Sequence, residues 1–281
     1  MPELPEVQTI ISDLVKKILH KKIIKVEVRL KKITKNNIKV LVGKSFVDIL
    51  RRGKYIFIKI NNGKYLAIHL RMTGQLIYQK NKEIVAGGHS EQKNDFDLPA
   101  KHTHVSISFS DKSKLYYNDQ RQFGYLEIID QKKFDEYSER IGIEPLSKEF
   151  NLEYLKEILK NKKRNVKAFL LDQKYIAGIG NIYADEVLFS AGVRPDRNTS
   201  TLKKREIEKI LSAIKIILKK AIDNRGTTFN NYVDADGNKG KFIKLLKVYN
   251  REGQQCVKCK NIIIKTKIAS RGTRYCNKCQ K

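Results

Sequence analysis

The chain has 281 residues and is 41% hydrophobic, enough material for two domains with separate cores. Its 58 lysines and arginines against 30 acidic residues leave a formal net charge of +28, which points to a polyanionic partner, nucleic acid ahead of a membrane surface. No apolar run approaches the roughly 18 residues of a membrane span, and the N-terminus is acidic rather than a basic signal peptide. A soluble, cytoplasmic protein is expected, with no membrane partner.

Val7, Ile10, Ile11, Leu14, Val15, Ile18 and Leu19 recur at steps of three and four, which predicts an amphipathic helix ending near residue 21. Pro5 suits its first turn, and Glu6 its positive dipole end. Alternating segments at 23–30, 46–50, 55–60, 65–70, 75–78, 105–109, 115–117 and 125–129 predict strands, with Asn61-Asn62-Gly63 and Asp111-Lys112-Ser113 as turns. Such a run predicts an antiparallel sandwich or barrel. The polar stretch 79–100, with Gly87-Gly88, is expected to be a long surface loop.

Near Ile141-Gly142-Ile143-Glu144-Pro145 the pattern turns helical, with helices predicted at about 151–160, 165–173, 181–190 and 203–223. Gly178-Ile179-Gly180-Asn181 reads as a compact turn joining two of them. Gly226 ends the last, before a Gly- and Asn-rich loop at 226–241. The expected fold class is α+β, with a first domain over 1–140, a linker over 141–147, a helical domain over 148–245 and a cysteine module over 246–281.

Cys256-x2-Cys259 and Cys276-x2-Cys279 have the spacing of two thiolate knuckles closing around one tetrahedral Zn2+. Disulfides are the poorer reading for an intracellular chain with no other cysteine. Four ligands leave no open position for water, so the site reads as structural. At the other end, Pro2-Glu3-Leu4-Pro5-Glu6 puts a small imino acid after Met1, where aminopeptidases trim. The exposed Pro2 amine would have a pKa of roughly 7.7–8.0, far below lysine, and could form an iminium with an electrophilic carbon. By position alone, a simple helix start is the plainer reading.

These segments together resemble the formamidopyrimidine-DNA glycosylase family, bifunctional base-excision enzymes that remove 8-oxoguanine and ring-opened purines. The motifs that carry the resemblance run in order along nearly the whole chain. They are Pro2-Glu3-Leu4-Pro5-Glu6-Val7, Arg51-Arg52-Gly53-Lys54-Tyr55, His69-Leu70-Arg71-Met72-Thr73-Gly74, Lys101-His102-Thr103-His104 and Asp119-Gln120-Arg121-Gln122-Phe123-Gly124. Ala177-Gly178-Ile179-Gly180-Asn181-Ile182-Tyr183 and the four-cysteine module with Arg271-Gly272-Thr273 complete the set. The resemblance implies an N-terminal helix and β-sandwich, a helix–two-turn–helix domain and a C-terminal zinc β-hairpin.

It also implies roles. Pro2 would attack C1′, Glu3 would protonate the sugar ring oxygen and shuttle protons, and Glu6 would support them. Lys54 and Arg271 match positions for phosphate contact and proton donation during elimination. Met72, Arg121 and Phe123 match the residues that fill the space left by an extruded nucleotide and hold the orphaned base. His69, His102, Lys162 and Asn181 match phosphate or other DNA contacts. Read singly, Met72 and Phe123 would be core residues, His69 a structural histidine, and Lys162-Lys163-Arg164 an interchangeable basic cluster. His102 and His104 alternate as a metal pair would, but no third ligand presents itself. The implied partner is damaged double-stranded DNA, bound by a monomer at the nucleoid.

Thr103, Gln120, Gln122, Ala168 and Asn230 depart from the family's commoner residues; Asn230, in the loop that the resemblance places over the extruded base, puts lesion preference in question, and none touches the amine, the acids or the zinc ligands. Two rivals stand beside this reading. The endonuclease VIII branch prefers oxidised pyrimidines, but usually has glycine where this chain has Leu4. A non-catalytic zinc-dependent DNA-lesion-binding protein would need no free Pro2.

Overall fold

The computed structural model describes residues 1–88, 98–227 and 241–281. Asn230 and most of the 226–241 stretch lie outside them. The chain forms two compact units, Met1–Glu139 with Asn224–Ile243 and Arg140–Asp223 with Lys244–Lys281. Residues 224–243, grouped with the helices on composition, therefore cluster with the first unit. The cause is direct bonding of Arg225 and Thr227 to the N-terminal helix.

In the first unit, helix α1 (Leu4–Ile18) is followed by strands β1 (Ile23–Val28), β2 (Phe46–Arg52), β3 (Tyr55–Ile60), β4 (Tyr65–His69), β5 (Gly74–Lys80), β6 (Glu83–Gly88), β7 (Thr103–Phe109), β8 (Lys114–Asp119) and β9 (Tyr125–Ile129), then helix α2 (Gln131–Glu139). The strands form a five-stranded sheet, β1-β7-β8-β5-β6, and a four-stranded sheet, β2-β3-β4-β9. All pairings are antiparallel. One core joins them: Val7, Ile10, Leu14 and Ile18 of α1 pack with Ile56, Ile58 and Ile68 of one sheet and Leu76, Val105 and Leu115 of the other. Each such fully buried aliphatic side chain contributes about 1.5–3 kcal/mol.

Along β3 the inward residues Ile56, Ile58 and Ile60 alternate with Tyr55 and Phe57, which face the other way and meet Phe134 and Tyr137 of α2. Phe134 packs edge-on against Phe57 at 4.9 Å and stacks on Tyr65 at 4.6 Å. Helix α2 thus covers the outer face of the four-stranded sheet. It buries no residue fully, so no apolar stripe predicts it.

The expected loop at 79–100 is corrected over its first half. Strand β5 continues to Lys80, turns at Asn81 in the left-handed region (φ 54°) and returns as β6. Gly87 lies in that strand because α1 crosses it closely: a Cβ there would come within 2.4 Å of Ile10 Cγ1. Residues 89–97 lie outside the described residues.

The second unit contains α3 (Leu152–Leu159), α4 (Val166–Leu170), α5 (Asn181–Ala191), α6 (Lys204–Asp223) and the hairpin β10 (Ile264–Ile268) with β11 (Arg271–Tyr275). Asn151 caps α3 by accepting from the Tyr154 N–H at 2.9 Å, and Gly192 ends α5 in the left-handed conformation (φ 73°). Helix α5 is buried on nearly every side, while α6 buries one stripe of Ile210, Ala213, Ile214, Leu218 and Ala221. Among the described residues no helix is long and apolar enough to cross a membrane.

Candidate active site and zinc module

The N-terminus of α1 brings two acidic residues into the buried part of the first unit. Glu3 is the N-cap residue in extended conformation, and Pro5 sits in the first turn. Pro2 is buried, with Glu3 at 2% and Glu6 at 8% exposure. Two carboxylates so placed need donors. Glu6 Oε2 accepts from the Glu3 N–H at 2.9 Å, while Oε1 accepts from the Thr227 N–H at 2.7 Å and its hydroxyl at 3.0 Å. With Met1 in place, burial pushes the terminal amine's pKa down, Glu3 and Glu6 oppose this, and Lys54 and Arg121 add to it. Pro2, Glu3, Glu6, Lys54 and Arg121 therefore share one electrostatic neighbourhood.

Lys54 reaches that neighbourhood through a tight hairpin. Arg52 pairs with Tyr55, leaving Gly53 (φ 55°) and Lys54 as the two turn residues, a geometry that favours glycine first. The lysine is 7% exposed. His69 ends β4, with its ring edge-on to Tyr55 at 4.4 Å. Its pKa is pushed down to about 3, by burial first and then by Arg71, Lys54 and Lys35. The ring is therefore neutral. Because Nδ1 accepts from the Arg71 N–H at 3.0 Å, the proton sits on Nε2, which is left as a donor.

Met72, Arg121 and Phe123 lie on two turns tied together by polar bonds. Thr73 donates to buried Asp119, and its hydroxyl accepts from the Arg121 N–H at 2.9 Å. The other Asp119 oxygen accepts from the Gly124 N–H at 2.8 Å and the Tyr117 hydroxyl at 3.3 Å. A side chain at position 124 would strike the Tyr117 hydroxyl at 2.0 Å, so glycine is required there. Phe123 is 56% exposed and the Arg121 guanidinium lies 4.9 Å above its ring. An aromatic held this far into solvent is unusual for a core residue and suits insertion into a stack. Met72 is half-buried.

His102 is half-buried, and its carbonyl accepts from the Asp119 N–H at 3.0 Å. His104 Nε2 is occupied by the Asp119 carbonyl at 2.8 Å, so the two histidines serve the same turn. Among the described residues the four cysteines form the metal-ligating cluster, and neither histidine joins one.

In the second unit, Asn181 opens α5 and its amide donates to the Gly272 carbonyl at 3.0 Å. Fully buried Lys167 pairs with Asp185 at 2.7 Å and donates to the Thr273 hydroxyl at 2.8 Å and the Gly272 carbonyl at 3.2 Å. Asp185 also accepts from the Arg274 N–H at 2.9 Å. These bonds clamp the start of β11, where Arg271 stands exposed just past a two-residue turn of Ala269 (φ 50°) and Ser270 (φ 58°). Of the basic cluster, Arg164 is taken by Asp172 at 2.8 Å, whereas Lys162 lies 5.4 Å above the Tyr175 ring and Lys163 is exposed. The three are not interchangeable.

The Sγ atoms of Cys256, Cys259, Cys276 and Cys279 all lie within 4.8 Å of one another, with 3.8 Å between Cys256 and Cys279 and 3.4 Å between Cys259 and Cys276. A tetrahedron of Zn–S bonds of about 2.3 Å needs sulfur separations of about 3.8 Å. Four free thiols so arranged fit one structural Zn2+, far outside the spacing of a disulfide.

Three family models cover the chain: formamidopyrimidine-DNA glycosylase N-terminal domain over residues 1–126, formamidopyrimidine-DNA glycosylase H2TH domain over 141–232, and the zinc finger found in FPG and IleRS over 253–281. The chain belongs to the formamidopyrimidine-DNA glycosylase family. The formamidopyrimidine-DNA glycosylase of Carboxydothermus hydrogenoformans is 45% identical over 286 residues, with 100% of both chains covered. That of Pelotomaculum thermopropionicum is 39% identical, covering 100% of this chain and 99% of its own. A Lactococcus lactis Fpg in complex with abasic-site DNA superimposes with a TM-score of 0.87 at 34% identity over 99% of both chains. The wild-type Lactococcus lactis Fpg with an N7-benzyl-Fapy-dG DNA gives 0.87 at 33% identity over 100% of both.

Within this glycosylase-family chain, the motifs place Pro2, Glu3 and Glu6 at one helix start and the four cysteines in one cluster. Sequence reasoning missed the supports: Thr73 and Asp119 beneath the turn residues, Thr227 on Glu6, and Lys167 with Asp185 beneath Arg271. Thr73, Asp119 and Thr273 do stand inside recognisable motifs. Nothing local marks them as bonded partners.

Proposed function

We propose that this chain is a bifunctional DNA glycosylase and abasic-site lyase of base-excision repair that acts as a monomer on duplex DNA at the nucleoid and removes oxidised purines, 8-oxoguanine and formamidopyrimidines. The observation that carries this reading is the buried start of α1, where Pro2 stands beside the buried carboxylates of Glu3 and Glu6 and near the buried Lys54. Burial favours the unprotonated, nucleophilic form of an amine, and adjacent acids can move protons.

After loss of Met1, the Pro2 nitrogen attacks C1′ of an extruded nucleotide. The C1′–base bond breaks with its electron pair on the base, which takes up the proton lost from the Pro2 nitrogen; Glu3 then protonates the sugar ring oxygen, the C1′–O4′ bond opens, and an iminium forms. The iminium acidifies C2′; proton loss there expels the 3′ phosphate, and a second elimination expels the 5′ phosphate. A one-nucleotide gap with phosphates on both sides remains. Lys54 and His69 Nε2–H serve as phosphate donors. Met72, Arg121 and Phe123 fill the vacated stack, and His102, Lys162 and Asn181 contribute DNA contacts. Arg271 donates during elimination from a hairpin that the zinc, when bound, holds rigid through its four thiolates.

Replacing Pro2→Gly tests this directly. Nicking of an 8-oxoguanine duplex should vanish while gel-shift affinity is largely kept. Preserved nicking with lost binding would refute the assignment.

A further inference from the structure

We propose that Arg225 and Asp13 form a latch that positions the catalytic N-terminus, making both positioning residues for the covalent step. The proposal rests on the reading of Pro2 as nucleophile. Just beyond α6, two consecutive residues, Arg225 (φ 60°) and Gly226 (φ 71°), adopt the left-handed conformation. Glycine does so freely, whereas a long L side chain is disfavoured there. The arginine nevertheless holds Asp13 of α1, its Nη2 donating to both carboxylate oxygens at 2.8 and 2.7 Å.

Asp13 lies seven residues after Glu6, two helical turns and about 10.5 Å further along the same face of α1. The segment from Arg225 to Thr227 is therefore fastened to that face at two points: Arg225 to Asp13, and Thr227 to Glu6. Gly226 lies between them with no room to spare, since a Cβ there would come within 2.6 Å of Glu6 Oε1. The segment is itself stiffened from behind, where the Lys241 N–H donates to the Asn224 carbonyl at 2.9 Å and Thr227 bridges Lys241.

Glu6 grips this stem with one oxygen and the Glu3 N–H with the other. A shift of the stem is therefore passed to Glu3 and to Pro2 beside it. A single ion pair near the surface adds little stability, and here it must also offset a disfavoured φ. What the pair fixes is the place of Thr227, and through Glu6 the aim of the amine. Small displacements of reacting groups cost far more in rate than in stability.

The test is single-turnover borohydride trapping on an abasic-site duplex, by wild type, Arg225→Gly, Asp13→Asn, the double variant and Asp13→Glu. Arg225→Gly relieves the disfavoured φ, so its thermal midpoint should hold. Each single variant should trap about tenfold more slowly, and the double variant no more slowly than either single. Affinity for undamaged duplex should stay unchanged, and Asp13→Glu, which keeps the carboxylate, should recover most of the rate. Unchanged trapping rates, additive losses, or a loss seen only in affinity (which would make Arg225 a phosphate contact) each overturn the proposal. Wild type that forms no adduct at all overturns the Pro2 reading instead.

Discussion

At the scale of single residues, His69 shows how burial assigns a role. Its pKa is pushed down to about 3 by desolvation and by Arg71, Lys54 and Lys35, while an unfolded histidine titrates near 6.5. The unfolded chain therefore takes up the proton first on acidification. The stability His69 provides is complete above about pH 6.5 and is lost as pH falls toward 3. In His69→Gln, the drop in urea midpoint between pH 7 and pH 4.5 should be smaller than in wild type; an equal drop would show that His69 does not carry this linkage. In the role proposed for it, the neutral ring would meet a phosphate by a hydrogen bond from Nε2 rather than as an ion pair. The four cysteines were legible because their spacing is regular, and the gathering of Pro2, Glu3 and Glu6 at one helix start because the three are contiguous with it. Asp119 and Lys167 were not, because the bonds that give them meaning join positions 46 and 106 residues apart.

At the scale of elements, alternation made the strands readable and a three-to-four period made α1 and α6 readable. It failed where packing contradicted composition. Gly87 looked like loop punctuation, yet it sits in β6 to let Ile10 of α1 approach. Helix α2 escaped notice because two half-buried aromatics on an otherwise polar segment leave no periodic signal. The zinc hairpin is the element with the clearest dependence on an added group. Its small core of Val248, Cys256, Ile263 and Cys276 against Phe189 is built around the thiolates. Chelation of the metal should strip β10 and β11 of hydrogen-exchange protection, leave α1 and the two sheets protected, and weaken duplex binding in gel shifts. Retained protection in β10 and β11 would show that the hairpin stands without zinc.

At the scale of the whole molecule, the +28 charge and the family's full-length match describe the same thing, a surface for a polyanion. If about six phosphates are neutralised, log K should fall against log salt with a slope of roughly −5. A flat dependence would remove DNA from the account. The central claim is narrower than binding: a proline nitrogen becomes bonded to deoxyribose. The most direct measurement is the mass of the N-terminal peptide after borohydride trapping on a duplex carrying 8-oxoguanine. The account predicts a peptide that begins at Pro2, lacks Met1 and carries the reduced sugar on its terminal nitrogen. An adduct mapped to a lysine, or full-rate trapping by a chain that still bears Met1, would contradict it.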